Sequence, residues 1–494
     1  MSSKDKHVCL IIPPSPFLLD ERVIMHIGIL KVAAALEQKG WSIDCLDLAG
    51  IDNYYDVLDR YLDQNPTFKC GITATTPQMP FAMNIARHLK EKNEDIKIVL
   101  GGTHVSLMHS AKKKEDKKGI IGRASIDIEK LKEVFDALVC GDGELAIFEA
   151  LNFEKIIVDA DDKKSDYFLT DEQFSTLPWP SRHLVDVDSY NFEIDGKRAT
   201  SLICQLGCPF RCTFCGGRNS PFLRKIRTRS ADSVVDELRY LYDTYGFTGY
   251  MFYDDELNVN KEWETLLEKI SELQKEIGED FNLRGFVKAE LFNQRQADLM
   301  YGAGFRWLLT GFESGDERIL VNIDKNATLE DNTKCVTYAK EAGLKVKALM
   351  SVGHAGESAG SVKNTKDWLL EVEPEEFDCT IISTYPGSPY FDDAVLENGV
   401  YTYTSPKTGD KLFQKDLDYF KNPDYYKGDP SGGYISYVWT EHISPEELVD
   451  ARDDLEKEVR ETLEIPFNPA GGKMKFEHSM GQGNIPSSVL RRNY

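Results

Sequence analysis

The chain has 494 residues, 41% of them hydrophobic, with a net charge of −23 and a pI near 4.9. Such a length predicts two or three hydrophobic cores, and the acidity argues against broad electrostatic capture of nucleic acid or of an anionic membrane. No apolar run approaches the ~20 residues of a membrane span, and the apolar stretch at 8–12 is too short for a signal-peptide core, so the expected compartment is the cytoplasm.

In chain order, residues 8–12 read as a first strand, 27–36 as a helix stopped by Gly40, and 42–46 as a second strand. Residues 70–74, 96–100 and 137–140 read as three further strands, with a helix at 82–89. Strands separated by helices predict a doubly wound, Rossmann-like parallel sheet whose ligand lies beyond the carboxyl ends of the strands. The charge run at 112–118 reads as a solvated insertion, and 159–166 as the start of a linker that continues through Leu177-Pro178-Trp179-Pro180.

A second alternation begins near Thr200. Its strands fall at 201–205, 250–253, 283–287, 307–310, 346–352 and 379–384, with helices at 233–245, 261–277 and 329–342. Six βα units predict a partial (β/α)6 barrel with its site at the C-terminal strand ends. Beyond about Asp393 the pattern breaks into an extension of mixed helix and loop, with a charged helix at 444–463 and an irregular tail. The expected division is 1–160, a linker at 161–199, the barrel at 200–393, and an extension at 394–494 that covers the barrel mouth. The tyrosines of this extension are expected mainly to pack.

Ten cysteines spread over such a chain do not make a disulfide framework, yet four fall between Cys204 and Cys215. Cys208, Cys212 and Cys215 share one loop directly after a strand. Three thiolates there can hold three irons of a four-iron cube and leave the fourth open. Cys204 could complete a closed zinc site, but it falls within the expected strand rather than on the loop, which makes it structural.

The C-x3-C-x2-C spacing, with Phe214 just before the last cysteine, resembles the signature of the radical S-adenosylmethionine (SAM) superfamily. The resemblance continues at successive strand ends. Tyr253-Asp254-Asp255-Glu256 matches the family's acidic motif, and Gly311-Phe312-Glu313-Ser314-Gly315 its G-x-E-S-G segment. Gly353-His354-Ala355-Gly356-Glu357 matches G-x-P-G-E, with alanine in place of proline, and Tyr385-Pro386-Gly387-Ser388-Pro389 also resembles the family. The resemblance implies a [4Fe-4S] cluster on Cys208, Cys212 and Cys215 and cleavage of SAM to a 5′-deoxyadenosyl radical. It implies SAM contacts from Phe214, Asp254, Asp255, Glu256, Glu313, Ser314 and Gly353.

The first 393 residues resemble the cobalamin (B12)-binding subclass of that superfamily. The matching pieces are Gly28-Ile29-Leu30, Thr73-Ala74-Thr75-Thr76, Gly101-Gly102-Thr103-His104 and Gly141-Asp142-Gly143-Glu144. They imply cobalamin contacts from Gly28, Thr75, Thr76, Gly101, Gly102, His104, Gly141, Gly143 and Glu144. The D-x-H-x-x-G motif is absent: Asp5 and His7 begin it, but Leu10 replaces its glycine, so no histidine is expected as lower ligand.

The resemblance implies a cobalamin-dependent methyltransferase acting on an unactivated carbon of a small molecule, with a flavodoxin or ferredoxin as reductant. The cofactors would carry the chemistry, so no acid–base residue is assigned. Cyclisation or rearrangement with the same cofactors is an alternative. Methylthiotransfer would need a second cluster, for which Cys9, Cys45, Cys70 and Cys140 are superficially available but fall within or beside strands. A non-enzymatic cobalamin or redox sensor is the remaining alternative. The substrate is not legible.

Overall fold

The computed structural model describes residues 6–18, 20–65, 68–426 and 433–467; the expected irregular tail lies outside them.

The N-terminal sheet is built from β1 (His7–Ile12), β2 (Ser42–Asp47), β3 (Lys69–Thr73), β4 (Lys97–Gly101), β5 (Ala137–Gly141) and β6 (Ile157–Ala160). Its helices are α1 (Ile27–Gln38), α2 (Tyr54–Gln64), α3 (Met79–Lys92), α4 (Thr103–Lys118), α5 (Arg123–Lys132) and α6 (Gly143–Ala150). The strand order is β2-β1-β3-β4-β5-β6, all parallel. Connections leave β1 in opposite directions, so a crevice opens between the carboxyl ends of β1 and β3. Two expectations change here. The charge run at 112–118 is no insertion: it is the C-terminal half of α4, bridged by Lys112 to Asp116 and ended by left-handed Gly119. Asp159 and Ala160 do not open a linker but end β6, a strand too short to stand out by its apolar content.

After α7 (Asp171–Thr176) the chain crosses to a seven-stranded sheet. In chain order it runs through β7 (Glu193–Ile194), β8 (Lys197–Leu202), a short β9 (Gln205–Leu206), α8 (Pro221–Arg224), β10 (Arg227–Thr228), α9 (Ala231–Tyr245), β11 (Gly249–Phe252), α10 (Trp263–Ile277) and β12 (Asn282–Phe286). It continues with α11 (Gln294–Gly302), β13 (Phe305–Glu313), α12 (Glu317–Asn322), α13 (Leu329–Glu341), β14 (Lys345–Val352), α14 (Ala359–Val372) and β15 (Glu376–Ile381). Strands β8 and β11 to β15 are the six parallel strands of the partial barrel, and β7 adds one antiparallel edge. The first barrel strand ends at Leu202, so Cys204 lies beyond it and not within it. The cause is Asp254, whose Oδ1 accepts the N–H groups of Cys204 (2.8 Å) and Gln205 (2.7 Å) and draws the chain out of the ladder.

After α15 (Pro389–Asp392) the extension holds an antiparallel sheet of β16 (Val395–Glu397), β17 (Val400–Thr404), β18 (Lys411–Lys415) and β19 (Val438–Trp439), and α16 (Pro445–Leu463). The sheet was not expected; β17 and β18 carry the Val, Tyr, Thr, Leu and Phe of strands and pair buried Tyr403 with buried Leu412, but nearby Gly, Pro and Asp mask the pattern. Helix α16 covers the open barrel edge. Glu456 accepts the Cys379 N–H (2.6 Å), Arg452 donates to the Cys379 carbonyl (2.7 Å), and Arg460 donates to that of Phe377 (2.9 Å). Side chains thus satisfy an edge that would otherwise expose unpaired backbone groups. Phe391 of α15 and Tyr419, Phe420 and Tyr425 of the extension join the hydrophobic core of the N-terminal domain, so these segments tie the two domains together.

The link between the domains carries a buried charge cluster. Glu237 on α9 accepts from Arg182 (2.9 Å) and from Arg229 (2.5 Å), with all three nearly inaccessible. Burial works against the Glu237 carboxylate, but the two guanidiniums prevail and hold its pKa below the usual range. Glu237→Gln strands two buried cations and should cost about 3–5 kcal/mol, read as a fall in the denaturation midpoint. The carboxylate's contribution is present above the ordinary glutamate pKa and is lost as pH falls through the depressed one, so the gap between parent and variant should narrow in acid. A gap independent of pH would contradict this account.

Candidate functional site

All ten cysteines are free, and Cys208, Cys212 and Cys215 are half-buried on the loop after β9. The loop is fastened from several sides. The Cys208 N–H donates to Leu223 O (3.0 Å), the Thr213 N–H to Ile323 O (2.8 Å), and the Arg218 N–H to Gly387 O (2.9 Å). Gly207 must be glycine: its φ is +84°, and a Cβ there would lie 2.3 Å from Lys225 O. Phe214 packs on Ile319, Leu320 and Ile323, with its ring 5.3 Å from that of His354.

Cations surround this loop. The Arg224 guanidinium donates to Cys215 Sγ (3.2 Å) and to four carbonyls of the loop. Buried Lys325 pairs with Glu313 (3.1 Å), and buried Lys288 donates to Lys325 O (2.8 Å) and pairs with Glu290 (2.9 Å). Burial pushes the Cys208 thiol up to about 12 and also raises Cys212, which Lys325 and Lys288 partly offset. None of these three basic residues stood out in the sequence. Arg224 lies nine positions past the last cysteine on a four-residue helix, and only the fold brings it back.

The acidic strand ends divide into two groups. Asp254 spends its carboxylate on Cys204, accepting the N–H and, at 2.8 Å, the thiol. Asp255 is exposed and Glu256 half-buried, yet desolvation raises both carboxyls, Glu256 to about 7. Open faces in crowded surroundings are what an internal cleft gives. Glu313 ends β13 with a strained φ of +68°. Its carboxylate is held by Lys325 and by Ser351 (2.7 Å), which also meets His354 (2.8 Å). Burial raises its pKa, but Lys325 and Ser351 more than offset this and keep Glu313 ionised. Ser314, by contrast, is buried against Thr365 (3.2 Å), and Gly353 turns toward Leu448 and Val438 of the extension.

At the carboxyl ends of the N-terminal sheet, Thr75 is exposed, and a Cβ on Gly28 or Gly101 would meet open space. Gly102, at φ +100°, lies against the Ala74 backbone, where a Cβ would sit 2.6 Å from the carbonyl. His104 is fully buried; its Nδ1 lies 3.2 Å from Thr76 Oγ1, its Nε2 has no protein partner, and burial lowers its pKa to about 3. Gly141, Gly143 and Glu144 are engaged elsewhere. Gly141 abuts Ala160, Gly143 lets α6 approach Val32 of α1, and Glu144 pairs with Lys31 (2.7 Å). His7 lies at the start of β1, at the opposite end of the sheet from Thr75, and pairs with Asp44 (2.9 Å).

The residues fit the groups implied. Among the described residues no three His, Cys, Asp or Glu side chains converge on a single metal ion. Three half-buried thiols on one loop suit a cluster in which each takes its own iron. Asp255 and Glu256 suit a cationic ligand. Exposed Thr75, the open space at Gly28 and Gly101, and a buried imidazole nitrogen without a partner suit a large polar ligand at these strand ends.

Burial of Glu357 raises its carboxyl to about 7, although it accepts from Gly353 N (3.0 Å) and Ser361 Oγ (2.5 Å). The folded state therefore holds this proton more tightly than the unfolded chain, and stability falls as pH rises from the ordinary glutamate pKa to about 7. Glu357→Gln should gain on the parent across that window by at most about 3 kcal/mol, read as a changing difference in Tm. A constant difference would refute the assignment.

Comparison with known proteins agrees with this geometry. Residues 202–369 match the radical SAM superfamily model and residues 21–132 the B12 binding domain model. An uncharacterised methyltransferase of Pyrococcus horikoshii is 25% identical over 410 residues, covering 80% of this chain and 84% of its own. An anaerobic magnesium-protoporphyrin IX monomethyl ester cyclase of Rubrivivax gelatinosus is 24% identical over 359 residues, covering 68% of this chain and 61% of its own. Among solved structures, the radical SAM methyltransferase TsrM of Kitasatospora setae, with cobalamin and a [4Fe-4S] cluster bound, superposes with a TM-score of 0.64 at 18% identity over 91% of each chain. The cobalamin-dependent radical SAM enzyme OxsB gives 0.55 at 15% identity over 74% of this chain and 51% of its own. At those identities the superpositions establish the shared fold. With both family models matched in order along one chain, the protein is a radical SAM superfamily enzyme that carries a B12 binding domain.

Proposed function

We propose that the protein is a cobalamin-dependent methyltransferase acting on an unactivated carbon of a small molecule. One observation carries the reading: a three-thiol loop ringed by cations and open carboxylates shares a chain with a parallel sheet at whose carboxyl ends Thr75 is exposed and a buried His104 leaves its Nε2 without a protein partner. The methyltransferase names of the P. horikoshii relative and of TsrM support it. When bound, the cluster supplies the electron that cleaves SAM, and cobalamin supplies a methyl carrier.

In this reading Cys208, Cys212 and Cys215 hold the cluster. Asp255 and Glu256 receive the ammonium of SAM. Glu313, kept ionised by Lys325 and aligned by Ser351, faces the ribose hydroxyls. Phe214 closes the site from the side of α12. Gly28, Thr75, Thr76, Gly101, Gly102 and His104 line the corrinoid crevice. The working division is 1–160, 161–199, 200–393 and 394–494, the last excluding water from the barrel mouth. A small acidic electron carrier of the flavodoxin or ferredoxin kind serves as reductant in the cytoplasm, and nucleic acid is not the substrate. Among the described residues no helix is long and apolar enough to cross a membrane.

The cyclase relative favours a second reading, radical cyclisation with the same cofactors. Reduced, cofactor-loaded protein incubated with SAM and a small-molecule cell extract that supplies the substrate separates the two. Methyl transfer produces both 5′-deoxyadenosine and S-adenosylhomocysteine. Cyclisation produces 5′-deoxyadenosine alone, and absence of both products overturns the enzymatic reading. Separately, His104→Ala should lower corrinoid retained on gel filtration at least several-fold; unchanged retention would remove His104 from the crevice.

A further inference from the structure

We infer that Arg224 sets the reduction potential of the cluster, acting as a positioning residue through Cys215. The inference rests on the radical SAM reading of the cysteine loop and goes beyond it, because no family motif includes this arginine. Its guanidinium donates to Cys215 Sγ at 3.2 Å and to the carbonyls of Gly216 (2.7 Å), Phe210 (3.2 Å), Gly217 (3.3 Å) and Cys208 (3.4 Å). One planar fork therefore grips the loop across its width and points a charged N–H at one ligand sulfur, an arrangement that a lysine cannot reproduce.

The grip is itself built. Arg224 ends α8, whose N-cap Ser220 donates to Asp161 Oδ1 (2.6 Å), while the same oxygen accepts the Phe222 N–H (2.8 Å). Asp161 follows β6 of the N-terminal domain and is itself buried. The position of the cation beside Cys215 is thus referred to the cobalamin-binding sheet.

The electrostatic consequence has a definite sign. A cluster held here would take one electron from an external donor and become one unit more negative, and a Cys215 thiolate holding its iron would take up no proton. A fixed positive charge with an N–H···S bond stabilises the more negative state more and raises the potential. Such help matters in a chain whose net charge of −23 opposes adding another electron.

The test uses the full-length protein, reconstituted anaerobically, with the midpoint read by redox titration followed by electron paramagnetic resonance. Arg224→Gln with full iron and sulfide content should shift the midpoint downward by at least a tenfold change in the reduced-to-oxidised ratio, about 60 mV for one electron. Arg224→Lys, which keeps the charge and loses the fork, should recover part of that shift. An unchanged midpoint in Arg224→Gln overturns the inference and leaves the family reading intact. If the glutamine variant assembles no cluster, Arg224→Lys decides: a lowered midpoint supports the inference, and a parental midpoint or loss of the cluster overturns it in favour of a purely structural arginine. A parent that assembles no cluster overturns both.

Discussion

Three thiols on one short loop must give up their protons to hold iron, and a half-buried loop resists gathering that much negative charge. The surrounding architecture answers this constraint. Arg224 approaches from α8, Lys325 from the turn after α12, and Lys288 from the end of β12. Each cation is buried or half-buried and paired or hydrogen-bonded, so none is left stranded. The carboxylates that could oppose the cluster are divided. Asp254 is drawn into the loop's own backbone, whereas Asp255 and Glu256 remain open to a cationic ligand.

The same constraint explains why the domains are tied so firmly. The cysteine loop has no core of its own. It leans on α8, which hangs from Asp161 just after β6, and on the Gly387 turn, which closes against Gly217. Helix α15 and the extension complete the frame, with Arg123 stacked between Phe391 (3.8 Å) and Tyr401 (3.6 Å) and four of their aromatic rings sunk into the N-terminal core. Fixing the first domain over the barrel positions one strand-end crevice relative to the other, as a reaction between two bound cofactors requires.

Much of this was legible in the sequence because local pattern and chemistry coincide there. The six parallel barrel strands coincide with apolar runs, and β11, β13 and β14 run into the Asp254, Glu313 and Gly353 motifs. What stayed hidden depended on distant partners. Strand β6 is four residues long, and α4 disguises itself as a charge run because its polar half bridges to Asp159 and Asp393. Motif resemblance also assigned Glu144 and Ser314 to ligands, yet Glu144 pairs with Lys31 and Ser314 bonds Thr365, choices that only tertiary packing decides. The basic residues around the thiols lie outside every recognisable motif, since a single arginine or lysine has no periodicity to betray it.

The central claim is that Cys208, Cys212 and Cys215, without Cys204, hold a four-iron cluster. Iron and acid-labile sulfide in anaerobically reconstituted protein test it most directly. The account predicts about four of each per chain in the parent and in Cys204→Ala, and near-complete loss when Cys208, Cys212 and Cys215 are all alanine. Equal loss of iron in Cys204→Ala, or retention in the triple variant, would contradict it.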